Sequence, residues 1–497
     1  MEHYEVCVIG GGPAGYAAAM RAVDFKKKTV LIEKSKVGGT GIYNGALSSK
    51  TLWEISQKVN DINESIASKG RKPFDLSWDE VKQTVKEAIF DRKIQYSAHI
   101  KLLQEGIAEG EFKFERGAAR MLSCHMVEII NKKGEKKRIT ADNIIIATGS
   151  RPRSIPSIPV DGKKIMTSDH IENIDNYPKS MVILGAGVIG CEYATIFSNF
   201  GKTKVYLIDK ANKILPFEDD DITKIVSQNL KRKGVVIHHD TDLKRMEVID
   251  NQVEYEIEDG DGNVEVIRVD CALMSIGRAP NIEGIGMENA NVFMSERGHH
   301  IGDNDTQTNI PNIYAVGDAS GRIALVNMGE LEGRHAIKKI LNPDVKHLSY
   351  SNVSTIMFLH PEVATVGLNE KACIEQNIPV KVVKIDYSLI ARAIAMRKTE
   401  GFFKIIVTDD EEMKIIGMRA IGVHASSAIQ AVALLMQTNQ SVIELAELVH
   451  PHPSIIEGIQ ECVRMLLNKS IFKSFVFEDG LKCYRLNNGV KTPLQRL

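Results

Sequence analysis

Seven cysteines are spread over the 497 residues, and no two stand in a C-x-x-C or C-x4-C pair. They are Cys7, Cys124, Cys191, Cys271, Cys373, Cys462 and Cys483. Such spacing excludes a local redox or zinc pair and fits reduced, structural thiols in a cytoplasmic protein. The chain also lacks a long block of one charge: 63 Lys and Arg stand against 64 Asp and Glu, a formal net charge of -1. A nucleic-acid partner is therefore not expected. No apolar stretch reaches the roughly 18 residues that would suggest a membrane span. No secretory leader is expected either, because Tyr4-Glu5-Val6-Cys7-Val8-Ile9 reads as a strand. What remains is a soluble balance of 43% hydrophobic and 26% charged residues, with length for about three domains.

One device occurs twice. Val6-Cys7-Val8-Ile9 leads into Gly10-Gly11-Gly12-Pro13-Ala14-Gly15, an Ala-rich helix, and a strand Thr29–Ile32 that ends at Glu33. Met181-Val182-Ile183-Leu184 leads into Gly185-Ala186-Gly187-Val188-Ile189-Gly190, a helix, and a strand Val205–Ile208 that ends at Asp209. In each copy the first glycine permits a tight turn, the second lets backbone approach a pyrophosphate, and the third lets helix pack on strand. The helix N-terminus presents free N–H groups to phosphate, and the acid accepts from ribose hydroxyls. A single G-x-G-x-x-G is weak evidence, since an ordinary glycine turn matches it too. Two copies in full context read as two dinucleotide sites. Asp209 would repel a 2′-phosphate; Lys210 and Lys213 follow it, so the charge argument favours NAD over NADP without excluding the latter.

Further segments stand in order: Ile146-Ala147-Thr148-Gly149-Ser150, Ser275-Ile276-Gly277-Arg278-Ala279-Pro280, Pro311-Asn312-Ile313-Tyr314-Ala315-Val316-Gly317-Asp318, and His360-Pro361-Glu362 running to Gly367. With the two glycine turns, they make the chain to about residue 470 resemble the dihydrolipoamide dehydrogenase and glutathione reductase family of pyridine nucleotide-disulfide oxidoreductases. The second turn is also similar to the family's soluble transhydrogenases. The resemblance implies an α/β fold with two Rossmann-like domains and a C-terminal α+β dimerisation domain. The implied order is 1–150 for FAD, 151–277 for NAD(P), 278–346 returning to the flavin, 347–470 for the homodimer interface, and 471–497 as an extension. FAD would be held by Gly10, Gly12, Ala14, Gly15, Glu33, Gly39, Thr40, Lys50, Thr148, Gly149, Gly317 and Asp318. The nicotinamide nucleotide would be held by Gly185, Gly187, Val188, Ile189, Gly190, Glu192, Asp209 and Gly277.

Members of this family carry a redox disulfide in G-G-T-C-x4-C. Here the stretch reads Gly38-Gly39-Thr40-Gly41-Ile42-Tyr43-Asn44-Gly45-Ala46-Leu47-Ser48-Ser49-Lys50. Gly41 and Ala46 stand at the cysteine positions, and Ser48 replaces the proline that follows. Without a dithiol there is no thiol–disulfide relay. Cys7 reads as a buried small hydrophobe, and Cys483 has no neighbouring cysteine with which to form a second centre. Lys50 and Glu192 are retained; in the family they pair beside the flavin. His450-Pro451-His452-Pro453-Ser454-Ile455-Ile456-Glu457 resembles the family's H-x-H-P-T-x-x-E. His452 would be the general acid/base, reaching the site from the other subunit across a cis His452–Pro453 peptide, and Glu457 would orient its ring. An inherited packing role for this pair is the bland reading.

The resulting expectation is an FAD-dependent NAD(P)H oxidoreductase passing a hydride to a small-molecule acceptor other than a disulfide. It would be transhydrogenase-, quinone reductase- or diaphorase-like. The alternative is a catalytically silent FAD-binding homologue with a structural or regulatory role. Loss of the cysteines would open space bordered by Tyr43, Asn44, Ser48 and Ser49 for a planar oxidant. Elsewhere, Ser77 with Glu80 predicts a capping box opening a helix to about Gln104. Residues 111–140 read as hairpin strands. The alternating Phe472, Phe475 and Phe477 suggest a short strand or arm.

Overall fold

The computed structural model describes residues 1–67, 69–106, 110–293 and 305–494. The chain divides into two compact units. The first comprises Met1–Pro178, Met246–Glu254 and Arg268–Leu348; the second comprises Lys179–Arg245, Tyr255–Ile267 and Ser349–Leu497.

The first unit is built on strand β1 (Glu2–Ile9), helix α1 (Pro13–Asp24) and strand β2 (Thr29–Glu33). Short α2 (Gly39–Ile42), α3 (Ala46–Ala67) and α4 (Trp78–Gln104) follow, then β3 (Phe112–Arg116), β4 (Ala118–Ser123), β5 (Met126–Ile130) and β6 (Lys136–Ile146). The sheet runs β3-β2-β1-β6-β5-β4, and Ile313–Ala315 also pairs with β6. β3, β2, β1 and β6 are parallel neighbours, whereas β4, β5 and β6 pair antiparallel. Residues 111–140 are thus not a simple hairpin: β3 joins the parallel side and only β4–β6 form the meander.

Both faces of β1 are covered, which is why it reads as a continuous apolar run. Cys7 and Ile9 enter one core with Ile32 and Ile144, while Val6 and Val8 enter the other with Ala18 and Leu31. Cys7 is fully buried, and burial pushes its thiol up to about 12. Helix α1 accepts a close neighbour, Val326–Leu341, because Gly333 leaves room for the Ala14 carbonyl: a Cβ there would lie 2.2 Å from that oxygen. Helix α4 begins with the expected capping box, Ser77 accepting from the Glu80 N–H and Glu80 accepting from the Ser77 N–H.

In the second unit, Ser180–Leu184, Lys204–Ile208 and Val236–His238 are parallel strands, with helix Val188–Phe200 between the first two. The same unit holds a seven-stranded sheet. Its antiparallel centre is Val363–Gly367, Ile415–Ile421, Phe402–Thr408 and Val380–Asp386. Helices Ala425–Thr438 and Glu457–Leu466 pack on one face of it. The extension adds two strands, Leu481–Asn487 beside Val380–Asp386 and Val490–Pro493 outermost. The aromatic alternation at 472–477 is not the strand. That segment turns, Phe475 and Phe477 stay exposed, and pairing begins only at Leu481.

This second unit carries a buried charge cluster. The Lys404 ammonium, fully buried, donates to Asp219 and Asp221 at 2.8 Å and to Glu370 at 2.9 Å. The extension completes it: the Tyr484 hydroxyl donates to Glu370 at 2.8 Å and Lys491 lies 2.6 Å from the other oxygen. Burial raises the Asp221 and Glu370 carboxyls, but the charges and hydrogen bonds of Lys404 together with Lys384 at Asp221, and of Lys404 together with Lys491 at Glu370, hold both below the usual range.

Candidate functional site

The two glycine turns fold alike. Gly10 and Gly185 take φ of 110° and 99°, open only to glycine in practice, and each donates its N–H 2.8 Å to the end of the next strand, Ile32 or Ile208. The next residue then donates to the acid: Gly11 N–H to Glu33, and Ala186 N–H to Asp209. The N–H two residues past each acid meets its other oxygen, Ser35 on Glu33 at 2.6 Å and Ala211 on Asp209 at 2.8 Å. Each carboxylate is therefore oriented by backbone, with lone pairs left for ribose hydroxyls.

The glycines divide by task. A Cβ at Gly10 would sit 2.3 Å from the Ala147 oxygen, and one at Gly15 would sit 1.9 Å from the Gly10 oxygen. Gly12 and Gly187 are different: a Cβ on either would meet nothing within 4 Å. Those two face open space where a helix N-terminus begins, which is where a pyrophosphate would lie. In the first unit the Thr148 hydroxyl is buried without a hydrogen-bond partner among the described residues, and Gly149 also borders open space. These residues fit a dinucleotide. Gly39 takes φ of 45° and packs against Gly12, bringing Thr40 to the same turn. Near them Arg278 Nε donates 2.7 Å to the Ser150 hydroxyl, which donates to Asp318, while Gly317 N–H donates 2.6 Å to buried Glu332. Ser150, Arg278 and Glu332 have no site role in the sequence reading; Ser150 and Arg278 lay inside quoted motifs, but nothing local marks Glu332.

Around Asp209 the two cations are engaged elsewhere. Lys210 lies 2.7 Å from Asp242, and Lys213 lies 2.6 Å from Asp220. Glu192 is buried on its helix and accepts from the Phe358 N–H at 3.0 Å. Lys50 lies in the first unit on α3.

Around Gly41 the chain is tightly packed. Gly41 lies so near Pro13 that a Cβ would be 2.5 Å from the proline Cγ. Gly41→Cys should therefore cost about 1–3 kcal/mol through overpacking, read as a lowered urea midpoint; an unchanged midpoint would show that Pro13 yields freely. Ser48 and Ser49 do not border an open space as expected. They are buried, and both hydroxyls turn back onto the Gly45 carbonyl, Ser49 at 2.6 Å. The same oxygen accepts the Ser49 N–H at 3.1 Å, and its second lone pair serves a buried hydroxyl that needs an acceptor. Tyr43 points elsewhere, to a cavity beside α4. All seven cysteines are free.

His452 and Glu457 do come together. His452 Nδ1 and Glu457 Oε1 are 2.8 Å apart, and Ser454 N–H donates 2.8 Å to the second oxygen. Burial raises the Glu457 carboxyl, but the Ser454 bond and His452 bring it below its usual range. With Nδ1 engaged and the imidazole 72% exposed, Nε2 is left to exchange a proton. The His452–Pro453 peptide is cis, as the resemblance implies, and so is His360–Pro361.

Residues 4–333 match the family described as pyridine nucleotide-disulphide oxidoreductase, and 353–463 match its dimerisation domain. The chain belongs to this family. A dihydrolipoyl dehydrogenase of Chlamydia trachomatis is 34% identical over 92% of this chain and 95% of its own length. One from Bacillus subtilis is 32% identical over 94% and 99%. Among solved structures, the Cu(II) complex of the HOCl-induced flavoprotein disulfide reductase RclA from Escherichia coli superposes with a TM-score of 0.82 at 25% identity, covering 94% of this chain and all of that one. LpdA from Mycobacterium tuberculosis gives 0.85 at 24% identity, with the same coverage, and shares the fold. Dihydrolipoyl dehydrogenase-like members of the family use FAD and NAD. No helix among the described residues is long and apolar enough to cross a membrane.

Proposed function

We propose that this family member is an NADH-dependent flavoenzyme whose acceptor is not a disulfide. The carrying observation is Gly41 and Ala46 at the redox-cysteine positions, beside two glycine turns that keep open cradles at Gly12 and Gly187. Bound FAD would take a hydride from the nicotinamide and pass two electrons on. Gly12, Glu33, Thr148, Gly149 and Asp318 would hold it. Gly187 would let the nicotinamide nucleotide approach, and Asp209 would take its ribose hydroxyls. Because Lys210 and Lys213 are paired away from Asp209, neither compensates a 2′-phosphate there, and NADH is favoured over NADPH.

The proposal includes the domain order 1–150, 151–277, 278–346 and 347–470, a homodimer and a cytoplasmic setting. The match of 353–463 to the dimerisation domain supports the homodimer. His452, held by Glu457, would deliver the proton that the reduced acceptor needs. An intact dyad and intact nucleotide turns favour this reading over a silent homologue. The test is NADH oxidation by the FAD-loaded protein with lipoamide, a quinone or a redox dye as acceptor. Turnover with quinone or dye and none with lipoamide is expected. Turnover with lipoamide would contradict the proposal.

A further inference from the structure

Beside α4 in the first unit lies a cavity of about 390 Å³, within the range of small-ligand pockets. It is not the dinucleotide cradle, since Gly10, Gly12, Gly15, Glu33 and Thr40 are absent from its wall. Lys36 lies between β2 and α2, Arg116 ends β3, and Lys86 and Lys93 come from α4. These four cations face one carboxylate, Glu172. None of the four has an ion-pair partner among the described residues. In a chain of net charge -1, that is a local excess of positive charge in a concave surface, where field lines concentrate.

The second feature is aromatic. Tyr43, Phe90 and Tyr96 line the same space. Phe90 is left 55% exposed on α4. Lys36 Nζ stands 4.6 Å from the centre of the Tyr43 ring. Inorganic phosphate would satisfy the cations and leave three rings wet. A neutral ring system would stack and leave the cations uncompensated. A planar aromatic anion does both, stacking on the rings while its charge meets the lysines. We propose that this cavity binds a planar aromatic anion. Tyr43 stands two residues after Gly41 and three before Ala46, so the bound ligand would touch the segment where relatives carry their cysteines. The inference concerns binding alone, so it can fail while the proposed hydride chemistry stands, and the reverse.

The experiment is calorimetric titration of the FAD-loaded protein with anthraquinone disulfonate, a planar aromatic dianion. It compares wild type, Lys86→Glu/Lys93→Glu and Tyr43→Leu. The two lysines are exposed on α4, so charge reversal there leaves the core untouched, and thermal melting verifies the fold. Saturable binding is expected, weakened at least about tenfold by charge reversal. Binding should also weaken with added salt and with Tyr43→Leu, and flavin content should stay unchanged in the lysine variant. No saturable binding, or equal affinity in wild type and the lysine variant, would overturn the proposal. Loss of FAD from the lysine variant would overturn it too, by making the cavity part of the cofactor cradle.

Discussion

Gly12→Val should give a protein that folds normally and no longer holds FAD. Gly12 has φ of -71°, a conformation any residue adopts, and a Cβ there meets no atom within 4 Å. Nothing in the polypeptide resists the side chain. The space it fills is the approach to the N-terminus of α1, where a pyrophosphate would come against the backbone N–H groups. Displacing it by the width of an isopropyl group should weaken FAD at least about 100-fold, or ~2.7 kcal/mol. The contrast is Gly15→Val, where the Cβ would lie 1.9 Å from the Gly10 oxygen. That variant should fail to fold, because α1 cannot reach β1. Flavin absorbance after gel filtration, with far-UV circular dichroism, separates the two. Retained flavin in a folded Gly12→Val protein would remove the first site from the account.

Lys404→Met should be the most damaging single change in the second unit. It removes the cation shared by Asp219, Asp221 and Glu370 at a position with no exposed surface; Asp221 keeps Lys384 and Glu370 keeps Lys491, whereas buried Asp219 loses its ammonium partner. Removing one partner of a buried ionic cluster costs about 3–5 kcal/mol, because the remaining charges stay desolvated. The added substitutions Asp219→Asn and Glu370→Gln should restore part of the loss, and that non-additivity identifies the cluster as the cause. The wild type carries a pH signature of the same contacts. Asp221 and Glu370 are held below their ordinary range in the folded state. Their stabilisation is fully present above the unfolded carboxylate pKa and is lost progressively from about pH 5 downward, as pH falls through the lowered folded-state pKa. Urea unfolding across pH should show this acid loss in wild type and a shallower one in the triple variant. A Lys404→Met protein as stable as wild type would mean that the cluster holds nothing together.

The parts of the molecule visible in the sequence are those whose physics is local. A glycine turn, the strand before it and the acid about 20 residues later form one contiguous statement. In both copies the strand, glycine turn, helix and acid take up that geometry, with backbone N–H groups bonded to Glu33 and Asp209. Ser77 with Glu80, and His452 with Glu457, are likewise close neighbours in the chain, and the structure brings each pair together. The Lys404 cluster draws on 219, 221, 370, 404, 484 and 491. No spacing rule joins those positions, since their meeting depends on which sheet edge the extension chooses. The phenylalanine alternation pointed to a strand about ten residues too early for the same reason. Pairing is settled by the free edge of Val380–Asp386, and the segment that meets it is Leu481–Asn487. Gly41 and Ala46 are legible in the sequence, but the packing around them is not. Gly41 settles against Pro13 and the two serines bond inward, a consequence of side-chain volume and hydroxyl satisfaction that a motif does not encode.

Electrons should enter this protein from NADH through FAD and leave without a dithiol. Anaerobic addition of NADH to the purified, FAD-loaded protein tests it directly. Bleaching of the flavin absorbance with no long-wavelength thiolate-to-flavin charge-transfer band is the predicted result. A flavin that neither NADH nor NADPH bleaches, or a charge-transfer band on reduction, would contradict it.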